Sequence, residues 1–465
     1  MNSRQTIFFY LTIGFFLFWK LSLDLYYPFL NSDGPWTLSH LFSFMRGDYQ
    51  SSIFAHEYLG QSFKTHTLEL LLIPFYYLFP TSTMTFLLIN YTFILFNIFL
   101  IRSILKIRSN NYLTHLFFSL AYLFSIYTYS TRHETYIITI LLLVIYASNV
   151  DNIIRSKYYL YLISFLGAFA SLMHPMGAII TSMIVILLLV NRPQLFKNLA
   201  YTLILGLSFS YILSLGQLFF YIEYYNSTYH GNDIHEWSPL LFLKYLIFSI
   251  AFVPAFFILI FTNLRKYSII FLLIVLTISY FGRSYYFSYL ILFFLVIYQD
   301  GRTPKSFDNL ISKKSILYFI SFFLLVNIFI THINPTIIVI ENPNLGKSYR
   351  KVLSKVDEIS ESKIGEGLIW VPSQFAMEVI DQPNTRMYFS FYKSLTGKKV
   401  NLNTNDIMLF YSKSKLDDFL ARNIANKKEN LIINNLIPPF KGKLRIGSFY
   451  KSRNESYGLW KVSIE

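Results

Sequence analysis

Cysteine is absent from this sequence, which excludes disulfides, thiol nucleophiles and cysteine-based metal sites. Charge is scarce as well. Asp, Glu, Lys and Arg make up 14% of the 465 residues, whereas a soluble domain carries about 25%. No internal repeat is visible, and neither is a Walker loop, a GxGxxG turn, an HExxH helix or a GxSxG elbow. The motif-bearing nucleotide, zinc-protease and serine-hydrolase chemistries therefore have no foothold here.

Apolar residues are present in excess. They account for 54% of the chain, aromatic ones alone for 19%, and mean hydropathy is +0.44. Several apolar runs approach the ~20 residues that cross a bilayer as a helix, so the chain reads as an α-helical polytopic membrane protein. A formal charge of +15 could suggest nucleic acid. The Lys and Arg residues instead fall in short loops between apolar runs, where the positive-inside rule puts them, and no nucleic-acid partner is expected. The opening run, MNSRQTIFFYLTIGFFLFWKL, is followed by the bulky SLDLYYPFL and not by a small-residue cleavage site, so it reads as an uncleaved first helix.

Loop charge sets the expected topology. A first helix over about 6–23 leaves the cytoplasm beside Arg4, and 24–82 form a long external loop. Within that loop 35–59 reads as an amphipathic surface helix anchored by Trp36, Phe42, Phe44 and Phe54. The 14 residues 66–79, with Pro74 inside, are too short to span and read as a second juxtamembrane helix. Arg102, Lys106 and Arg108 then mark a cytoplasmic end after 83–101, and the later basic loops agree. The count comes to about eleven spans, with the N-terminus inside and the C-terminus outside.

From 334 onward the long apolar runs stop. Residues 367–371, 406–412 and 457–464 read as strands, and 347–361 and 414–425 as helices. The expected division is a transmembrane catalytic domain over 1–333 and an external α/β domain over 334–465, large enough for a core of its own.

On this topology the external helix ends collect Asp33, Asp48, Glu57, Lys64, His66, Arg132, His133, Glu134, His174, Glu223, Asp233, Glu236 and Arg283. Ionisable groups at membrane depth are costly unless paired or functional. Each has a plainer reading too. Asp33, just before Pro35, suits a helix cap. Glu134 is a first-turn acid favoured by the helix dipole. His174 before Pro175 ends a helix, and Arg283 could snorkel to the interface.

The ordered set of these motifs resembles the GT-C superfamily of polytopic glycosyltransferases, in particular bacterial relatives of protein mannosyltransferases and aminoarabinose transferases. The resemblance rests on Asp33 in NSDGPW early in the first external loop, Arg46-Gly47-Asp48 further along it, and Arg132-His133-Glu134 opening a helix in STRHETYIITILLL. It continues through His174-Pro175-Met176-Gly177 closing GAFASLMHPMG, and Arg283 opening the Tyr-rich GRSYYFSYLILFFLV. Two departures stand out. Asp33 is followed by Gly34 and not by a second acid, and Lys64-Thr65-His66-Thr67 replaces the Lys-Pro-Pro before the second juxtamembrane helix.

The resemblance implies transfer of a sugar from a polyprenyl-phosphate carrier to a lipid, glycan or protein acceptor on the external face of a bacterial inner membrane. Such a reaction needs a carboxylate to take the acceptor proton and cations to steady the phosphate leaving group. Asp33 is the expected base. Glu134 and Asp48 are the second acids on the acceptor side, and Arg283, Lys64 and His66 the phosphate contacts. Arg132, His133, His174 and Glu57 are expected nearby. Asp33, Glu134, His133 and His56 could hold a divalent metal, though no ligand spacing demands one. A carrier or flippase of lipid-linked saccharides and an O-antigen polymerase or ligase stand as alternatives. The one-sided polar residues and missing repeat weigh against the first. The long loop directly after helix 1 weighs against the second.

Overall fold

A computed structural model describes residues 3–26, 67–79, 81–127, 133–190, 198–214, 288–298, 307–309, 311–362, 366–372, 375–379, 384–388, 399–422, 424–425, 430–444 and 453–464. A few single positions between 216 and 277, and 382, are described besides. The expected surface helix over 35–59 lies outside the described residues.

Helix α1 runs Ser3–Tyr26, α2 Thr67–Leu78 and α3 Thr83–Lys106. Next come α4 Tyr112–Tyr127, α5 Glu134–Ala147, α6 Tyr159–Met173, α7 Pro175–Val190 and α8 Leu199–Leu213. After them α9 covers Leu290–Tyr298, and α10 covers Lys314–Ile328. Three described helices are long and apolar enough to cross a bilayer: α1, α3 and the continuous helix Lys314–Glu341. The last of these runs past 333, where the membrane domain is expected to end. It passes through a π-helical turn, Phe329–Ile333, into α11, Asn334–Glu341. Pro335 lacks an amide hydrogen and its ring crowds the carbonyl four residues earlier, so the widened turn sits where the α-helical ladder would otherwise break.

By contact the chain forms two compact units, Met1–Lys20 with Asn90–Asn334, and Leu21–Ile89 with Pro335–Glu465. In the first unit α6 packs against α5, α7 and α8, and α9 packs against α4, α5 and α7. Every residue of α9 is buried, as expected of a helix that is apolar all round. Asp308 ties down the segment after α9 by accepting from Ser109 Oγ at 2.7 Å, Thr114 Oγ1 at 2.6 Å and Tyr298 OH at 3.1 Å. His332 is fully buried, its Nε2 3.0 Å from the Phe16 carbonyl oxygen and its ring edge-on to Phe16, Trp19 and Phe124. It holds α1 against the last long helix and is a packing residue.

The second unit carries α12 (Leu345–Ser362), β1 (Ile369–Pro372), the single turn α13 (Ala376–Val379), β2 (Thr385–Tyr388), β3 (Ile407–Ser412), α14 (Lys413–Arg422), β4 (Leu431–Leu444) and β5 (Arg453–Ile464). The strands form one mixed sheet in the order β2-β1-β3-β5-β4. β1 is parallel to β2 and β3, and β5 is antiparallel to β3 and β4. Trp370, Met408, Phe410 and Trp460 face Leu416, Phe419 and Leu420 of α14. Ile369, Val371, Ile407 and Leu409 face Tyr349, Val352 and Val356 of α12. Both faces are covered, which is why IWV and IMLF are continuous apolar runs and not alternating ones.

Candidate functional site

Three of the expected site residues lie within the described chain, and the fold brings them together. His133 immediately precedes α5 and Glu134 is its first residue, so the carboxylate sits at the positive end of the helix dipole. Both side chains are buried, Glu134 to 1% exposure, and His133 Nε2 lies 3.4 Å from Glu134 Oε1. His174 comes from the junction of α6 and α7. Pro175 disfavours the helical region for the residue before it, and His174 is extended, with φ −168° and ψ 147°. Its carbonyl accepts from the Ala178 amide at 3.2 Å, starting α7. The half-buried His174 ring stacks on His133 with centroids 4.2 Å apart and planes 29° from parallel.

Close packing of the backbone makes the turn between α6 and α7 possible. A Cβ on Gly177 would come 2.5 Å from the Ala170 carbonyl oxygen, and Ile137 of α5 lies 3.5 Å from the same point. Main-chain oxygen cannot rotate away. Gly177→Ala is expected to cost about 1–3 kcal/mol by overpacking and to displace His174. Thermal unfolding of the purified variant in detergent checks this, and an unchanged midpoint would contradict it.

Behind Glu134, the buried Asn97 of α3 donates to Tyr122 OH of α4 at 2.7 Å and to the Thr135 carbonyl of α5 at 3.0 Å. One amide thus locks three helices next to the carboxylate. Asn97 is not among the expected site residues, although an Asn within an apolar helix is itself a signal. Lys20, fully buried on the inward stripe of α1 with Phe9 and Ile13, was missed in the same way.

Asp33, Asp48, Glu57, Lys64, His66, Arg132 and Arg283, and His56 among the suggested metal ligands, lie outside the described residues. Among the described residues no group of three His, Cys, Asp or Glu side chains is arranged to hold a metal ion.

Long apolar helices, short buried ones and a small mixed sheet at the C-terminus make up a polytopic fold that a solved structure shares. Among solved structures the chain is similar to ArnT from Cupriavidus metallidurans bound to undecaprenyl phosphate. The TM-score is 0.57 at 10% sequence identity, and the match covers 99% of this chain and 98% of that one. No protein-family model matches the sequence, and no curated protein matches it.

Proposed function

We propose that this chain is a membrane glycosyltransferase that moves a sugar from a polyprenyl-phosphate carrier to an envelope acceptor on the external face of a bacterial inner membrane. The likeness to ArnT over nearly the whole of both chains, in a structure holding undecaprenyl phosphate, carries this reading. In the reaction an acceptor hydroxyl or amine attacks the anomeric carbon as the bond from that carbon to the phosphate oxygen breaks. The electron pair leaves with polyprenyl phosphate, and the acceptor proton passes to Asp33. Glu134 and Asp48 orient the acceptor. Arg283, Lys64 and His66 neutralise the leaving phosphate. His133, His174, Arg132 and Glu57 are the further polar residues assigned to the reaction. About eleven spans place the N-terminus in the cytoplasm and 334–465 in the periplasm, with 1–333 as the catalytic membrane domain.

The test has two arms. Mass spectrometry of envelope glycolipids from cells with and without the gene should show a sugar present only with it. Purified protein in nanodiscs should bind undecaprenyl phosphate, and Arg283→Lys should weaken that binding about tenfold. Lysine keeps the charge but loses the planar bidentate fork, and a hydrogen bond to a charged group contributes about 1.5–3 kcal/mol. Identical glycolipids together with no binding of undecaprenyl phosphate would overturn the reading. Wild-type affinity in Arg283→Lys would remove Arg283 from the donor site.

A further inference from the structure

Within the second unit, one stretch of chain is held at both ends by the C-terminal residues. At its start, the Tyr26 hydroxyl at the end of α1 donates to the Pro343 carbonyl. α12 begins so close by that a Cβ on Gly346 would run into the Tyr26 carbonyl oxygen. At its end, α3 opens on the buried Thr83. Ser82 caps this helix from within, its Oγ accepting from the Thr85 amide at 3.1 Å. The Thr83 amide has no intrahelical acceptor. Glu378 of α13 supplies one from outside: its Oε1 is 3.4 Å from the Thr83 nitrogen, and its Oε2 is 3.0 Å from the Thr83 hydroxyl. α13 itself is rooted in the domain core by Phe375, Met377 and Val379, all buried. The sequence between the two anchors, 27–82, carries Asp33, Asp48, Glu57, Lys64 and His66.

We propose that the C-terminal domain clamps this stretch through Gly346 on Tyr26 and Glu378 on Thr83, and that Glu378 is a positioning residue for the transfer reaction. The role in transfer rests on the glycosyltransferase reading above; the clamp itself does not. The fit works in both protonation states. Neutral Glu378 donates from Oε2 to the Thr83 hydroxyl and accepts the amide at Oε1, and ionised Glu378 accepts both. Burial penalises the ionised form and pushes the carboxyl from 4.5 up to about 7. The Thr83 bonds pull the other way, and Asp357 of α12 adds to the rise. An acid with a raised pKa in the docked state favours docking fully below its ordinary value, and that contribution is lost as pH rises through the raised one. The clamp therefore weakens as pH rises through about 7.

Glu378→Gln imitates the protonated acid, since its amide can donate to the hydroxyl and accept from the main chain; Glu378→Ala removes both bonds. Full-length protein in nanodiscs is assayed for sugar transfer at about pH 6 and about pH 8.5, on either side of the raised pKa, and for hydrogen exchange in peptides from 27–82. Glu378→Ala is expected to lower kcat about tenfold or more and to raise donor KM as well, because the stretch carries Lys64 and His66 beside Asp33 and small misplacements of a catalytic group cost that much. It should also speed exchange across 27–82. Glu378→Gln should match the wild type at the lower pH and exceed it at the higher one. Wild-type kcat in Glu378→Ala overturns the positioning role, as does a Glu378→Gln profile superimposable on the wild type. Unchanged exchange in Glu378→Ala overturns the clamp. Should Glu378→Ala not fold, Thr83→Val takes its place, losing the hydroxyl bond alone, with a fall in kcat and a rise in donor KM expected in the same direction. If the wild type transferred no sugar, the glycosyltransferase reading and the role in transfer would fall together, and exchange would still decide the clamp.

Discussion

Asp33→Asn is expected to leave a folded, membrane-inserted protein that transfers sugar about 10²–10⁴ times more slowly, the usual contribution of a positioned general base. The substitution separates two roles for one side chain. Asn and Asp cap helices about equally well, so a residue that only caps the helix expected from Pro35 would tolerate the change with thermal stability and turnover both intact. A base would not, because the amide cannot take the acceptor proton. The decisive comparison sets the unfolding midpoint against kcat for transfer from a polyprenyl-phosphate sugar. Wild-type turnover at an unchanged midpoint would move the base to Asp48 or Glu57 on the same stretch.

Glu134→Gln carries the second largest expected effect. The side chain is 1% exposed and begins a helix beside His133, so two explanations compete for it. As a first-turn acid it contributes about 0.3–1 kcal/mol through the helix dipole, and up to about 2 where partly buried. Replacing such an acid with its neutral isostere would shift the unfolding midpoint slightly and leave turnover alone. If it is instead the acid that orients the acceptor, Glu134→Gln should lower kcat/KM about 10²-fold, in the range of positioned acid–base and electrostatic groups. Kinetics at saturating donor and varied acceptor distinguish the two. A midpoint shift with wild-type kcat/KM would leave Glu134 as a structural acid.

Much of the local structure is legible in the sequence because it follows from the residues themselves. TMTFLLINYTFILFNIFLIRSILK and ETYIITILLLVIYA form helices where their apolar runs say they should. GLIWV and DIMLFYS mark β1 and β3 because strands covered on both faces must be apolar throughout. β2 and β4 escaped notice for definite reasons. TRMY is four residues long, without alternation, and LIINNLIPPFKGKL carries two adjacent prolines and two adjacent asparagines that read as turn. β4 pairs with β5 along a register that shifts around Ile437, between those asparagines and Phe440. Length and pairing partner, not composition, make it a strand.

By itself the sequence determined the class of protein, because hydropathy and loop charge act on each segment alone and need no partner. It also placed His133, Glu134 and His174 at helix ends, since few other positions near a membrane tolerate such groups. Tertiary structure alone decided which of these meet. His133 and His174 stack because Gly177 lets α6 and α7 turn against one another at the mouth of α5. Asn97 supports Glu134 from a third helix, and Glu378 reaches Thr83 from the far end of the chain. Contacts between residues so distant in sequence depend on how whole helices pack, and no local pattern encodes that.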